Sequence, residues 1–129
     1  MDIAFYALNT NNASIKFAQI VARADETQAN SSQQGSLKFS VNIGASLTDV
    51  AKFNTNGHFV PASDNTFDLG GSSERWRNIY SADLQLSNEG IGNDVDGTWG
   101  KYTIQEGEND LFLLNRRNGK KYRFMLEEV

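Results

Sequence analysis

Between residues 36 and 43 the chain alternates without a break: Leu37, Phe39, Val41 and Ile43 are apolar, while Ser36, Lys38, Ser40 and Asn42 are polar. A period of two marks a strand with one covered face. Upstream, residues 3–8 are a short apolar segment, 9–14 a polar loop, and 15–24 an alternating run with apolar residues on both faces. These predict two paired strands joined by a hairpin loop. A polar stretch over 25–35 separates them from the alternating strand. Gly44-Ala45 then predicts a turn, 47–53 a returning strand, and Asn56-Gly57 a hairpin turn into His58, Phe59 and Val60. Four or more strands therefore precede residue 63.

The next stretch, 63–80, reads SDNTFDLGGSSERWRNIY and follows neither period throughout. Turn formers Ser63, Asp64, Asn65 and Thr66 lead to Phe67 and Leu69, Gly70-Gly71 interrupts, and Arg75, Trp76, Ile79 and Tyr80 resume the apolar content. This predicts a tight reversal between two short packed segments, with Trp76 in the core. Trp76, Ile79 and Tyr80 have the spacing of one helical turn, yet residues 76–86 also read as an extended strand. Both assignments remain open on the sequence.

Past residue 80, 83–86 alternates as a strand, 87–97 is a Gly- and Asn-rich loop, and 99–105 is a strand. Within that strand Trp99 and Lys101 share one face, and Gly100 and Tyr102 the other. After an acidic connection over 106–110, residues 111–126 predict a hairpin with the two-residue turn Asn118-Gly119. Such a turn sets Arg117 against Lys120, Arg116 against Lys121, Leu113 against Phe124 and Leu111 against Leu126. Leu111, Leu113, Tyr122, Phe124 and Leu126 then share one face, with Phe112, Leu114 and Met125 on the other. A strand pair apolar on both faces must be covered twice. One cover is the rest of the chain and the other a neighbouring copy, so Phe112, Leu114, Phe124 and Met125 are candidate oligomer-interface residues.

Composition narrows the class. Of 129 residues, 31 are Leu, Ile, Val or Phe, above the level of a disordered chain, so a folded structure is expected. Asn, Ser and Gly supply 36 residues against a single Pro, which favours many short strands over long helices. The expected fold is all-β, with short antiparallel strands in a meander or sandwich. Three segments follow: an N-terminal β module over 1–62, a connecting segment over 63–82 and a C-terminal hairpin module over 83–129. There is no Cys to cross-link a small core, a situation in which partner subunits commonly supply the missing burial. No apolar run is long enough for a membrane span, and the first residues lack a signal-peptide pattern. Neither secretion by that route nor membrane insertion is expected. A net charge of −4 argues against nucleic acid as a partner. Charge is nonetheless uneven: 83–110 holds seven acidic groups and one basic, and 111–129 holds five basic and two acidic. The acidic loop and the basic hairpin are expected to meet, within or between subunits.

Candidate chemistry is sparse. The carboxylate pairs Glu106 with Glu108 and Asp94 with Asp96 each share a face if extended and are candidates for glycoside hydrolysis, and both read as solvated loop carboxylates answering the basic hairpin. The run Asp94–Thr98 fails as a calcium loop, since a bidentate Glu is missing at the required position. His58 is the sole histidine, beside a turn, and anchors neither a zinc site nor a nucleophile triad. No catalytic residue, metal or cofactor is expected. For carbohydrate recognition, Trp99 and Tyr102, with Lys101 between them, are the candidate ligand-binding residues.

Pro61, Asp64, Asn65, Asp68, Leu69, Gly70, Arg75, Trp76, Ile79 and Tyr80 stand in the order of a phrase common in bacteriophage tail fibres and tailspikes, which the stretch resembles. Asp68, Leu69, Gly70, Arg75, Trp76 and Tyr80 are its signature positions. Residues 84–129 are similar to the closing module of such fibres, through Leu86-Ser87-Asn88-Glu89, Asp96-Gly97-Thr98-Trp99, Gln105-Glu106-Gly107-Glu108, Asp110-Leu111-Phe112 and Asn118-Gly119-Lys120-Lys121-Tyr122. The resemblance implies a homotrimeric segment, intertwined or packed, at the distal end of a virion fibre. It implies assembly in the host cytoplasm, other virion tail proteins as partners, and contact with a host cell-surface glycan or protein. A glycan-depolymerising tailspike fragment and a capsid-attached decoration fibre are the alternatives. Residues 87–92 lack the Asp, Arg and Lys of the self-cleaving chaperone that follows the signature in many fibres, so no autoproteolysis is expected.

Overall fold

The computed structural model describes residues 1–24 and 34–128. Most of the polar stretch expected over 25–35 therefore lies outside the described residues, as does Val129. The chain forms two compact units, Met1–Arg75 and Trp76–Val129, and the described residues are all-β with no helix. None of them forms a helix long and apolar enough to cross a membrane.

The first unit is a five-stranded antiparallel meander, β1 (Asp2–Leu8), β2 (Ser14–Ala24), β3 (Gly35–Ile43), β4 (Ser46–Phe53) and β5 (Phe59–Pro61), in sequential order. Its turns follow local chemistry. Asn9 Oδ1 accepts from the amides of Asn11 and Ala13, closing the first hairpin. Gly44 and Ala45 both take positive φ, the conformation of a two-residue turn that matches strand twist. The Asn56-Gly57 turn is larger than the dipeptide predicts, because Asn54 N donates to His58 O and Gly57 N to Asn54 O. Three residues, 55–57, lie between that pair.

Cross-strand partners share a face, so the register sorts the side chains. One set of rows runs Ile3–Ile20–Phe39–Ala51–Pro61 and Ala22–Leu37–Phe53–Phe59, and Phe5–Ala18–Val41–Thr48 continues it. The opposite rows are Asp2–Val21–Lys38–Lys52–Val60 and Ala4–Gln19–Ser40–Asp49. Two bulges make this separation. Val50 has no partner between Ala51, opposite Phe39, and Asp49, opposite Ser40. Strict alternation would place Asp49 on the apolar face with Ala51 and Phe53, and the extra residue turns it to the polar one. Phe17 does the same for Lys16, which lies opposite Tyr6 and donates to Gln19 Oε1.

The second unit is a four-stranded meander, β6 (Asp83–Ser87), β7 (Lys101–Glu106), β8 (Leu111–Asn115) and β9 (Lys121–Arg123). Its apolar face carries Leu84, Ile104, Leu113 and Tyr122 in one row and Leu86 and Tyr102 in the next. The β8–β9 register differs from the expected one. Leu113 lies opposite Tyr122, not Phe124, and Leu114 opposite Lys121. The slip of two residues preserves the faces and arises at the turn. Asn115 N donates to Lys120 O, and Gly119 N, at φ 75°, donates to Asn115 O. Four residues, 116–119, therefore form the loop instead of two. Asn115 Oδ1 fixes it by accepting from the amides of Arg117 and Asn118.

Residues 76–82 are irregular, so the helix-or-strand alternative resolves to neither before β6 begins at Asp83. Trp76 is not in a core: in the single chain it is 63% exposed, and Leu69, Ile79 and Tyr80 are exposed as well. Indeed no hydrophobic side chain among the described residues is buried. The buried ones are Ser40, Thr103 and Asn115, all polar.

Candidate functional site

The best-defined cluster of polar and aromatic side chains lies at the end of the second sheet where β7 starts and the β8–β9 loop closes. Asn115 is its centre. Besides capping the loop, its Nδ2 donates to Tyr102 Oη at 3.0 Å, across the Tyr102–Asn115 strand pair. Beside it, Thr103 is fully buried, its hydroxyl donating to Gln85 Oε1 at 2.7 Å and accepting from Arg116 Nε at 2.8 Å. Arg117 reaches the other way. Its guanidinium lies 3.8 Å from the centroid of the Trp99 ring, and Nη1 donates to Trp99 O at 2.6 Å, a stacked cation–π contact.

Each predicted ligand-binding residue is at this end of the sheet. Strand β7 begins at Lys101, so Trp99 precedes it and does not share a strand face with Lys101. Arg117 occupies one side of the Trp99 ring. Lys101 pairs with Glu89 at 3.7 Å, and its carbonyl accepts from Arg116 N. Tyr102 lies on the apolar face opposite Leu86. The loop before Trp99 is organised by Asp96, whose carboxylate accepts from Thr98 N, Thr98 Oγ1 and Asn93 Nδ2. Those bonds, led by the Thr98 amide, hold its carboxyl below the ordinary range.

The expected like-charge pairing across the turn does not form. The four-residue loop removes Arg117 from opposite Lys120, and both arginines turn toward β7 and the segment before it. The acidic and basic segments meet at Arg123–Asp110, 3.8 Å, and Lys101–Glu89 joins the acidic loop to β7.

Of the predicted interface residues, Phe112 and Leu114 lie on the face opposite Leu113 and line an open groove of about 420 Å³ with Asp83, Gln105, Glu106 and Lys121. Phe112 lies close under the turn at Gly107, where a Cβ would meet its ring at 2.6 Å. Phe124 and Met125 follow β9 and are exposed in the single chain. The signature residues Asp68 and Leu69 border a groove formed with Phe59, Val60 and Pro61. Gly70 takes positive φ ahead of the Gly71–Glu74 reversal. Arg75, Trp76 and Tyr80 form no described cluster.

Sequence reasoning missed Asn115 as the cap of the loop and, on the other face, the Thr103–Arg116 bond. The readable signal was Asn115 itself, since Asn favours capping a turn whose amides lie two and three residues ahead. In the first unit, a second polar group joins Lys38, Ser40 and Asp49: Ser40 Oγ donates to Asp49 at 2.7 Å and Lys38 Nζ lies 3.2 Å from it. The Ser40 bond leads in lowering the Asp49 pKa, with Lys38 adding to it. Among the described residues no three His, Cys, Asp or Glu side chains gather as a metal site. No family model, curated protein or solved structure matches the chain.

Proposed function

We propose that the chain is a non-catalytic structural and receptor-contact segment at the distal end of a bacteriophage tail fibre, working as a homotrimer. The observation that carries this reading is the pair of sheets with apolar faces and, among the described residues, no buried hydrophobic side chain. Phe39 packs edge-on against Phe53 and Phe59, which are tilted to each other, with centroids 5.1 to 6.3 Å apart, yet Phe53 and Phe59 remain exposed to water. Single soluble chains rarely expose large contiguous apolar patches. The two bulges that move Asp49 and Lys16 off this face support its burial against other copies, because an unpaired charge there would be costly to desolvate. The fibre resemblance of 61–80 and 84–129 supplies the trimer and the host-surface setting.

Light scattering tests the reading: the expected mass is three times the 14.3 kDa of one chain. A stable, folded monomer overturns it. Incubation with host polysaccharide is expected to release no reducing ends, whereas steady release assigns the chain to a depolymerising spike.

A further inference from the structure

The loop joining β8 and β9, with the start of β9, gathers positive charge that no ion pair among the described residues neutralises. Arg116, Arg117, Lys120 and Lys121 lie within six residues. None of them forms an ion pair among the described residues, where the pairs are Lys38–Asp49, Lys101–Glu89 and Arg123–Asp110. Holding like charges at one turn is unfavourable, and 16 acidic residues were available to offset it. Two of the three carboxylates of the nearby loop are already engaged: Asp96 accepts three hydrogen bonds within its own turn, and Glu89 pairs with Lys101.

Both arginines are also held in place. Arg116 is fixed through Nε to the buried Thr103, and Arg117 by the Trp99 ring and carbonyl. A guanidinium carries five N–H donors in a planar fork, and each of these side chains uses one. The remaining donors have no partner among the described residues. A fork already fixed can take the two oxygens of a carboxylate or phosphate with little further loss of freedom.

We propose that this tip binds the oxyanions, phosphate or uronate-type carboxylate, of an acidic surface polysaccharide. Arg116 and Arg117 form the direct contacts, and Lys120 and Lys121 add longer-range attraction. The inference rests on the receptor-contact reading for its biological setting. A polysaccharide suits the tip better than nucleic acid does. The cationic patch is one turn long, and Glu89, Asp94 and Asp96 belong to the adjoining loop. Carboxylates there oppose a continuous phosphate backbone but tolerate oxyanions spaced along a neutral sugar chain.

The test uses the whole chain against immobilised sparsely phosphorylated dextran, hyaluronate, in which uronates alternate with neutral sugars, and neutral dextran across a salt series. Binding to at least one polyanion, weakening with salt, and none to neutral dextran are expected. Binding to the phosphate polymer alone or to the uronate polymer alone identifies the oxyanion source. The double variant Lys120→Gln/Lys121→Gln, whose side chains make no hydrogen bond among the described residues, is expected to lose about tenfold in affinity with unchanged thermal unfolding. Arg117→Gln is expected to lose more and to shift the tryptophan emission. Equal binding to neutral dextran, undiminished binding by the double variant, or no binding to either polyanion at low salt overturns the proposal. The two readings fail separately. A trimer that attaches to bacteria equally well with the double variant removes the tip and keeps the fibre. A monomer that binds polyanion through the tip removes the fibre and keeps the tip.

Discussion

The two sheets are both antiparallel meanders that sort polar side chains onto one face, yet they differ in where those polar contacts end. In β1–β5 polar side chains are sorted onto one face, where Asp2 meets Gln19 and Ser40 and Lys38 meet Asp49. The other face is left apolar and open. In β6–β9 the polar face pairs Asp83 with Gln105 and Gln85 with Thr103, and there the bonds run on to Arg116 in the loop. Asn115, on the other face with Tyr102, holds the same loop through its amides. The first sheet therefore depends on what covers its apolar face. One end of the second is fixed by its own hydrogen bonds, independent of any cover.

Ala51→Asp tests the first half of that contrast most severely. It places a carboxylate on the apolar face opposite Phe39 and Pro61, and an unpaired buried charge costs about 3–5 kcal/mol. Circular dichroism is expected to show loss of the folded first unit at 25 °C. Retention of the wild-type melting curve means that face is not buried. Next in size is the pair Phe53→Asp and Phe124→Asp, compared by sedimentation velocity. Each is expected to dissociate or unfold the assembly at a cost of about 3 kcal/mol per chain, and dissociation by only one of them identifies which sheet carries the contact.

Asn115→Ala addresses the second sheet. It removes the acceptor for two loop amides and the donor to Tyr102, for an expected loss of about 2 kcal/mol. Thermal unfolding is expected to fall with the mass in solution unchanged, and a change in mass links the loop network to assembly. The smallest effect concerns pH. The Asp49 pKa lies below its ordinary 3.8. Its contribution is therefore present above that value and lost as pH falls through the lower folded one. Because Asp49 is about half exposed, the contribution is at most about 1 kcal/mol. Ser40→Ala is expected to flatten the stability profile between pH 5 and pH 2, at roughly that magnitude; an unaltered profile shows that Ser40 does not bias the titration.

Strand positions were legible because alternation is set by burial of one face, and Leu37, Phe39, Val41 and Ile43 announce it directly. The turn at 116–119 was not legible from Asn118-Gly119 alone. That dipeptide suits a two-residue turn, but Asn115, three residues earlier, captures the amides of Arg117 and Asn118 and lengthens the loop. The bulge at Val50 could be inferred only once Asp49 was known to need a place beside Ser40, a demand that arises from register. Trp76 misled for a different reason. Apolar character indicates that a residue prefers cover, and in this fold the single chain does not supply it. The tip network was hidden because Thr103 and Arg116 are 13 residues apart and meet only through the β7–β8 pairing.

Every strand in both sheets pairs only with its neighbours in sequence. No pairing has to wait for a distant segment, and low contact order favours rapid formation of each sheet from local hairpins. On the proposed trimeric reading, the slow step in maturation is then the encounter between chains, whose rate depends on concentration. Until it occurs, the open aromatic faces are free for unproductive association. Recovery of native protein should accordingly improve with slower, cooler synthesis, which lowers the load of chains awaiting partners at any moment.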